Sequence, residues 1–200
     1  MVWLRAGHTG RNSHAIPHEE NYLNIIEHWI NGSYVPAGSR TAPVTNPSTG
    51  KVTGQVSLAS QEESHAAVAA ARAAFPAWRD TSIARRTQIL FAFRELLNAR
   101  KGELAAIITS EHGKVLDDAV GEVTRGQEVV EFACGIPHLL KGSYTENAST
   151  NVDVHSIRQA LGPVAIISPF NFPAMVPMWF FPLAIAAGNT VVIKPSEKDP

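Results

Sequence analysis

A single cysteine, Cys134, occurs in the whole chain. No intramolecular disulfide can form, and zinc-ligand spacings such as Cys-x-x-Cys are absent, so no structural metal is expected. That usage fits a reducing compartment, with the cytoplasm as the expected location. An excess of charge of one sign is also missing, since 17 Lys and Arg face 18 Asp and Glu for a formal net charge of -1. A nearly neutral chain offers no basic field to a phosphate backbone or an anionic membrane surface, so neither nucleic acid nor membrane is an expected partner. The longest apolar run, Phe172 to Ala187, falls short of the roughly 20 residues that span a bilayer and contains Pro173, Pro177 and Pro182. It is expected as a buried helix. What is present is 44% hydrophobic residues over 200 positions, enough for a sizeable core in one or two domains.

The text changes character along the chain. "MVWLRAGHTGRNSHAIPH" carries Arg5 and Arg11 and no acid, which resembles a mitochondrial presequence in charge but lacks an amphipathic pattern. A disordered leader over residues 1–25, or a misplaced start, is the preferred expectation. A β-ribbon is expected over 26–59, where Asn31-Gly32 sits between short apolar stretches as a two-residue hairpin turn. Helices are expected over 60–141. Ser60 and Glu63 form a capping box before an alanine-rich segment with Ala67, Ala70, Ala71 and Ala74 on one face, ended within a turn of Pro76. A second helix carries a stripe of Ile83, Ile89, Leu90, Phe93, Leu96 and Leu97. A third runs to Gly113, and a fourth, from about Val115 to Leu140, carries Val120, Val123, Val130, Phe132 and Ala133. Residues 152–200 are expected as a strand followed by the start of a parallel sheet. "VAIIS" and "TVVIK" read as strands buried on both faces, joined by the apolar helix that stops at Gly188-Asn189.

Ligands of such β-α-β units bind beyond the carboxyl ends of the strands, here at Ser168 to Phe172 and at Lys194 to Glu197. A nucleotide-binding unit ordinarily carries a glycine-rich turn at the first place; this one carries Ser168-Pro169-Phe170-Asn171-Phe172-Pro173. The prolines stiffen the turn, and Pro173 suits the first turn of a helix, where no N–H is needed. Asn171 can offer its side-chain NH2 to an oxygen that acquires negative charge, or it can cap the helix. Lys194 and Glu197 can hold ribose hydroxyls, or form a solvated surface pair.

Together these residues resemble the aldehyde dehydrogenase superfamily. "SPFNFP" is similar to its Pro-aromatic-Asn-Phe-Pro motif, and "AAGNTVVIKPSE" to its Gly-Asn-Thr…Lys-Pro-Ser-Glu motif, at the family's mutual spacing. Phe170, "FNFPAMVPMWFFP" and "GEVTRGQEVVEFACG" resemble the CoA-acylating methylmalonate-semialdehyde dehydrogenases. The likeness covers about Ile26 to Pro200. It implies an α/β fold, aldehyde-dehydrogenase-like in its N-terminal part, with a β-ribbon and helices followed by the first βαβ unit of a Rossmann-type NAD-binding sheet.

For the site, the resemblance implies that Asn171 is the oxyanion-hole amide. Lys194 and Glu197 would hold the adenosine ribose of NAD, and Ser168, Pro169 and Phe170 would line the same cleft. It implies Arg125 as the ligand of the substrate carboxylate; the plainer reading is a helix-surface charge between Glu122 and Glu128. Cys134, beside Phe132 and Ala133, reads as a core residue, not a nucleophile. The implied reaction joins a small aldehyde, NAD and CoA: methylmalonate or malonate semialdehyde becomes propionyl-CoA or acetyl-CoA, with CO2 and NADH. The family's catalytic cysteine and its oligomerisation strand lie beyond the matched motifs. The chain is therefore expected as the N-terminal part of a longer, homo-oligomeric enzyme, without the catalytic domain and inactive alone. Other readings are an NAD(P)-dependent dehydrogenase of another carboxylated semialdehyde, a mitochondrial location, and a non-catalytic fragment that acts by binding.

Overall fold

The computed structural model describes residues 24–200. The leader expected over 1–25 therefore lies outside them up to residue 23. The described part begins inside that expected leader, with β1 (Asn24–Ile26) as a parallel edge on β5 (Lys51–Ser57). β4 (Thr41–Asn46) flanks β5 antiparallel on its other side, so this sheet is mixed and not purely an antiparallel ribbon. A separate hairpin joins β2 (His28–Ile30) to β3 (Ser33–Val35). Its turn has φ of 52° at Asn31 and 79° at Gly32, the two positive values that make Asn-Gly the favoured pair there.

The capping box forms as expected at the start of α1 (Gln61–Asp80): Glu63 N–H donates to Ser60 Oγ at 3.1 Å, and Ser60 N–H to Glu63 Oε2 at 2.7 Å. α1 continues for one turn past Pro76. In α2 (Ile83–Ala99) the stripe differs from the expected one, because Ile83, Ile89 and Leu96 are exposed and the buried face is Arg86, Leu90 and Leu97. Arg86 takes that place because its Nη1 donates to the carbonyls of Arg79 and Thr81 at the end of α1, where backbone acceptors have no intrahelical partner.

α3 (Lys101–His112) ends at Gly113 with φ of 84°. α4 (Leu116–Cys134) is the central helix, burying Ala119, Glu122, Val123, Gly126, Gln127, Val130, Ala133 and Cys134. It stops at Cys134 and not near Leu140. Gly135 and Pro137 restart the chain as the single turn α5 (Ile136–Leu139), and Phe132 points outward. β6 (Tyr144–Ser149), which no sequence pattern announced, pairs antiparallel with β7 (Val152–His155) in an exposed hairpin.

β8 (Pro163–Ile167), α6 (Met175–Ala186) and β9 (Thr190–Lys194) form the expected crossover, and β8 pairs parallel to β9 from Pro163↔Thr190 to Ile167↔Lys194. The strands are not buried on both faces as expected: β8 exposes Pro163, Ala165 and Ile167, and within the described residues β9 is its sole strand neighbour. Asn189 fixes the return from α6. Its Oδ1 accepts from Leu161 and Gly162 N–H at 2.7 and 3.1 Å, and its Nδ2 donates to Ala184 O at 3.1 Å. Ile166, Met178 and Phe181 then pack with Leu97, Ala105, Ile108, Val123 and Val130 in the main core.

Candidate active site at the carboxyl edge of the parallel strands

The turn after β8 is tied to the end of β9, since Ser168 N–H donates to Lys194 O at 3.0 Å. Ser168 is buried, and its Oγ has no hydrogen-bond partner among the described residues. Pro169 and Phe170 are exposed, and the Lys198 ammonium lies 4.2 Å from the Phe170 ring centroid. Asn171 is exposed, and its side-chain amide makes no hydrogen bond among the described residues.

Asn171 does not cap α6. The cap position is Ala174, which provides no side-chain hydrogen bond. The first N–H groups are satisfied from another helix: Glu122 Oε1 on α4 accepts from Ala174 N–H at 2.9 Å and from Met175 N–H at 3.1 Å. A carboxylate at that helix end also meets the positive end of the α6 dipole. Glu122 Oε2 pairs with Lys114 Nζ, which donates to Asn171 O at 3.2 Å and lies 4.6 Å from the Phe172 ring centroid. Glu122 is fully buried and Lys114 is 11% exposed.

Lys194 and Glu197 form the second pair at this edge, Nζ to Oε2 at 2.9 Å, with side chains 58% and 51% exposed. The hydrogen bond from Lys194 holds the Glu197 carboxyl below its ordinary range. Glu197 therefore keeps its charge, and both side chains face solvent, within reach of a hydroxyl-bearing ligand. Arg125 is exposed on α4, with Nη1 3.6 Å from the place a Cβ on Gly121 would take. It joins no ion pair among the described residues. Glu122, the neighbour at i-3 in the plainer reading, is committed to Lys114.

Glu111 and Asp199 are poorly solvated acids. Burial, and then the charge of Asp199, pushes Glu111 up to about 7. Burial pushes Asp199 up to about 6, against the hydrogen bond from Ser196. Cys134 is buried, and burial raises its thiol, which disfavours the thiolate. No group of three or more His, Cys, Asp or Glu among the described residues could hold a metal ion. No helix among them is long and apolar enough to cross a membrane.

The aldehyde dehydrogenase family pattern matches residues 34–200. The chain belongs to the aldehyde dehydrogenase family. It is 51% identical over 178 residues to the malonate-semialdehyde dehydrogenase of Pseudomonas aeruginosa, covering 89% of this chain and 36% of that protein. Against the mitochondrial, acylating methylmalonate-semialdehyde dehydrogenase of Arabidopsis thaliana the identity is 48% over 176 residues, 88% of this chain and 29% of that one. A Sinorhizobium meliloti 1021 structure, named for a methylmalonate-semialdehyde dehydrogenase and complexed with NAD, superposes with a TM-score of 0.87 at 47% identity. It covers 90% of this chain and 37% of that one. The chain thus spans about a third of the length of these relatives, from 29% to 37%.

Sequence reasoning missed Lys114 and Glu122 as members of this edge. One signal was available: Glu122 falls in phase with Ala119, Gly126, Val130 and Ala133 on the buried stripe of α4. A carboxylate in that phase must find donors inside the protein.

Proposed function

We propose that this chain forms the N-terminal part of a homo-oligomeric, NAD- and CoA-dependent semialdehyde dehydrogenase. The enzyme converts methylmalonate or malonate semialdehyde into propionyl-CoA or acetyl-CoA, CO2 and NADH. The observation that carries the reading is the juxtaposition, at one sheet edge, of the exposed and unengaged Asn171 amide with the exposed Lys194–Glu197 pair. The names of the relatives support the choice of substrate. In methylmalonate semialdehyde the aldehyde hydrogen leaves as hydride, the carboxylate leaves as CO2, and the CoA thiol proton replaces it on the α-carbon.

The fit to NAD rests on Lys194 and Glu197, a donor and an acceptor able to hold two ribose hydroxyls, with Ser168, Pro169 and Phe170 along the same turn. NAD supplies the hydride acceptor when bound. Asn171 Nδ2 donates to the aldehyde oxygen as negative charge develops on it during thiolate addition. The thiolate is not that of Cys134, and it is assigned to the part of the enzyme beyond this chain. Arg125, with no ion-pair partner of its own among the described residues, binds the substrate carboxylate. The cytoplasm is the proposed compartment; the mitochondrion, named for the Arabidopsis relative, is the alternative.

The test is NADH formation from methylmalonate semialdehyde by the protein isolated from its source, with and without CoA, alongside its intact mass. A CoA requirement in a protein well above 21.6 kDa supports the proposal. Turnover indifferent to CoA would instead mark a dehydrogenase of another carboxylated semialdehyde. No turnover from a protein of 21.6 kDa would leave a fragment that acts by binding.

A further inference from the structure

We infer that Lys114 and Glu122 are positioning residues for the Asn171 amide, an inference that rests on the oxyanion role proposed above. The turn from Ser168 to Pro173 has few holds of its own. Ser168 N–H anchors its start to β9, Pro169 and Pro173 have no N–H, and the Asn171 side chain is unengaged. Its far end is fixed from α4. One oxygen of Glu122 gathers the N–H groups of Ala174 and Met175, setting where α6 begins. The other oxygen holds Lys114, whose ammonium reaches over the Phe172 ring to the carbonyl of Asn171 itself.

The peptide unit that follows Asn171 and the two that open α6 are therefore referenced to one buried carboxylate. Arg125 lies on the same helix, one residue short of a turn further on, so a single rigid element sets the amide for the aldehyde oxygen and carries the guanidinium for the carboxylate. Fixing two contacts to opposite ends of a short substrate from one helix preserves the distance between them, which is what orientation of the reacting carbon requires. A purely structural ion pair would have no need of the Asn171 carbonyl.

The experiment uses the full-length enzyme. Lys114→Met alone leaves the Glu122 charge buried with a partner removed and can unfold the protein. The working variant is therefore Lys114→Met with Glu122→Gln, which keeps an oxygen for Ala174 and Met175 and removes both charges together. Its kcat should fall, by up to about a hundredfold, with the KM for NAD and the thermal midpoint little changed. Introduced into Asn171→Ala, which itself loses about a hundred- to a thousandfold in kcat, the same pair of substitutions should cause little further loss.

Equal losses in both backgrounds, or none in the wild-type background, would overturn the positioning role while leaving the oxyanion role in place. An undiminished kcat in Asn171→Ala alone would overturn the oxyanion role and this inference with it, so the single variant separates the two failures.

Discussion

Two lysine–glutamate pairs sit at the same edge of this molecule and do opposite things. Lys114–Glu122 is closed off, with side chains 11% and 0% exposed, whereas Lys194–Glu197 stands in solvent at 58% and 51%. The buried pair has no capacity left for a ligand, because the Glu122 oxygens already take two backbone N–H groups and an ammonium. The contact within the exposed pair is one that water screens and a ligand can replace. Identical functional groups are thus committed to a structural clamp or left open to solvent and ligand according to burial.

The sharpest way to break the comparison is to delete one carboxylate from each pair. Glu122→Ala removes the acceptor of three donors and strands Lys114, and unfolding in urea should show a loss of about 3–5 kcal/mol. A loss no greater than that of an average surface substitution would mean that water replaces Glu122, and the contrast between the pairs would collapse.

The next effect concerns pH and is smaller. Glu111 and Asp199 are both pushed up, to about 7 and about 6, chiefly by burial. Their folded-state values exceed the unfolded ones, so the folded protein holds more protons between roughly pH 4 and pH 7. The stability linked to these groups is therefore fully present below about pH 4 and lost as pH rises through 7. Glu111→Gln should remove much of that slope. Relative to the wild type, the variant should gain on the order of 2 kcal/mol between pH 4.5 and pH 8, read from urea midpoints at the two values. A wild type and variant that run parallel across this range would show that Glu111 is better solvated than its surroundings indicate.

How much of this was legible in the sequence depended on the distance between partners. The Asn31-Gly32 hairpin, the Ser60–Glu63 box and the β8-α6-β9 unit are specified by neighbours within one element or turn, and all of them formed. The positions of Ser168, Asn171, Lys194 and Glu197 at one edge followed from the crossover, because parallel strands bring their carboxyl ends together. What escaped was set by partners far along the chain. Glu122 meets Ala174 and Met175 across 52 and 53 residues, and the pattern around it offered Arg125 as a plausible helix-surface partner instead. Arg86 escaped for a different reason: its acceptors lie only 7 and 5 residues away, but periodicity assigns an arginine to the surface, and only the carbonyls at the end of α1 make its burial tolerable. β1 and β6 were too short or too polar to stand out, and pairing with β5 and β7 makes them strands.

The smallest structural effect belongs to the exposed pair, and it is the one that makes the comparison functional. Glu197→Gln keeps the shape of the side chain and removes the charge that Lys194 holds. Solvent already surrounds both groups, so the urea midpoint should stay within the scatter of replicate wild-type measurements. The KM for NAD in the full-length enzyme should nevertheless rise severalfold, because a carboxylate accepts from a ribose hydroxyl more strongly than a neutral amide does. In the proposed reaction the thiolate and oxyanion steps do not involve this side chain, so kcat at saturating NAD should change little. A variant that lost stability without losing affinity for NAD would reverse the assignment, making Lys194–Glu197 the clamp at this edge and leaving the ribose to other residues.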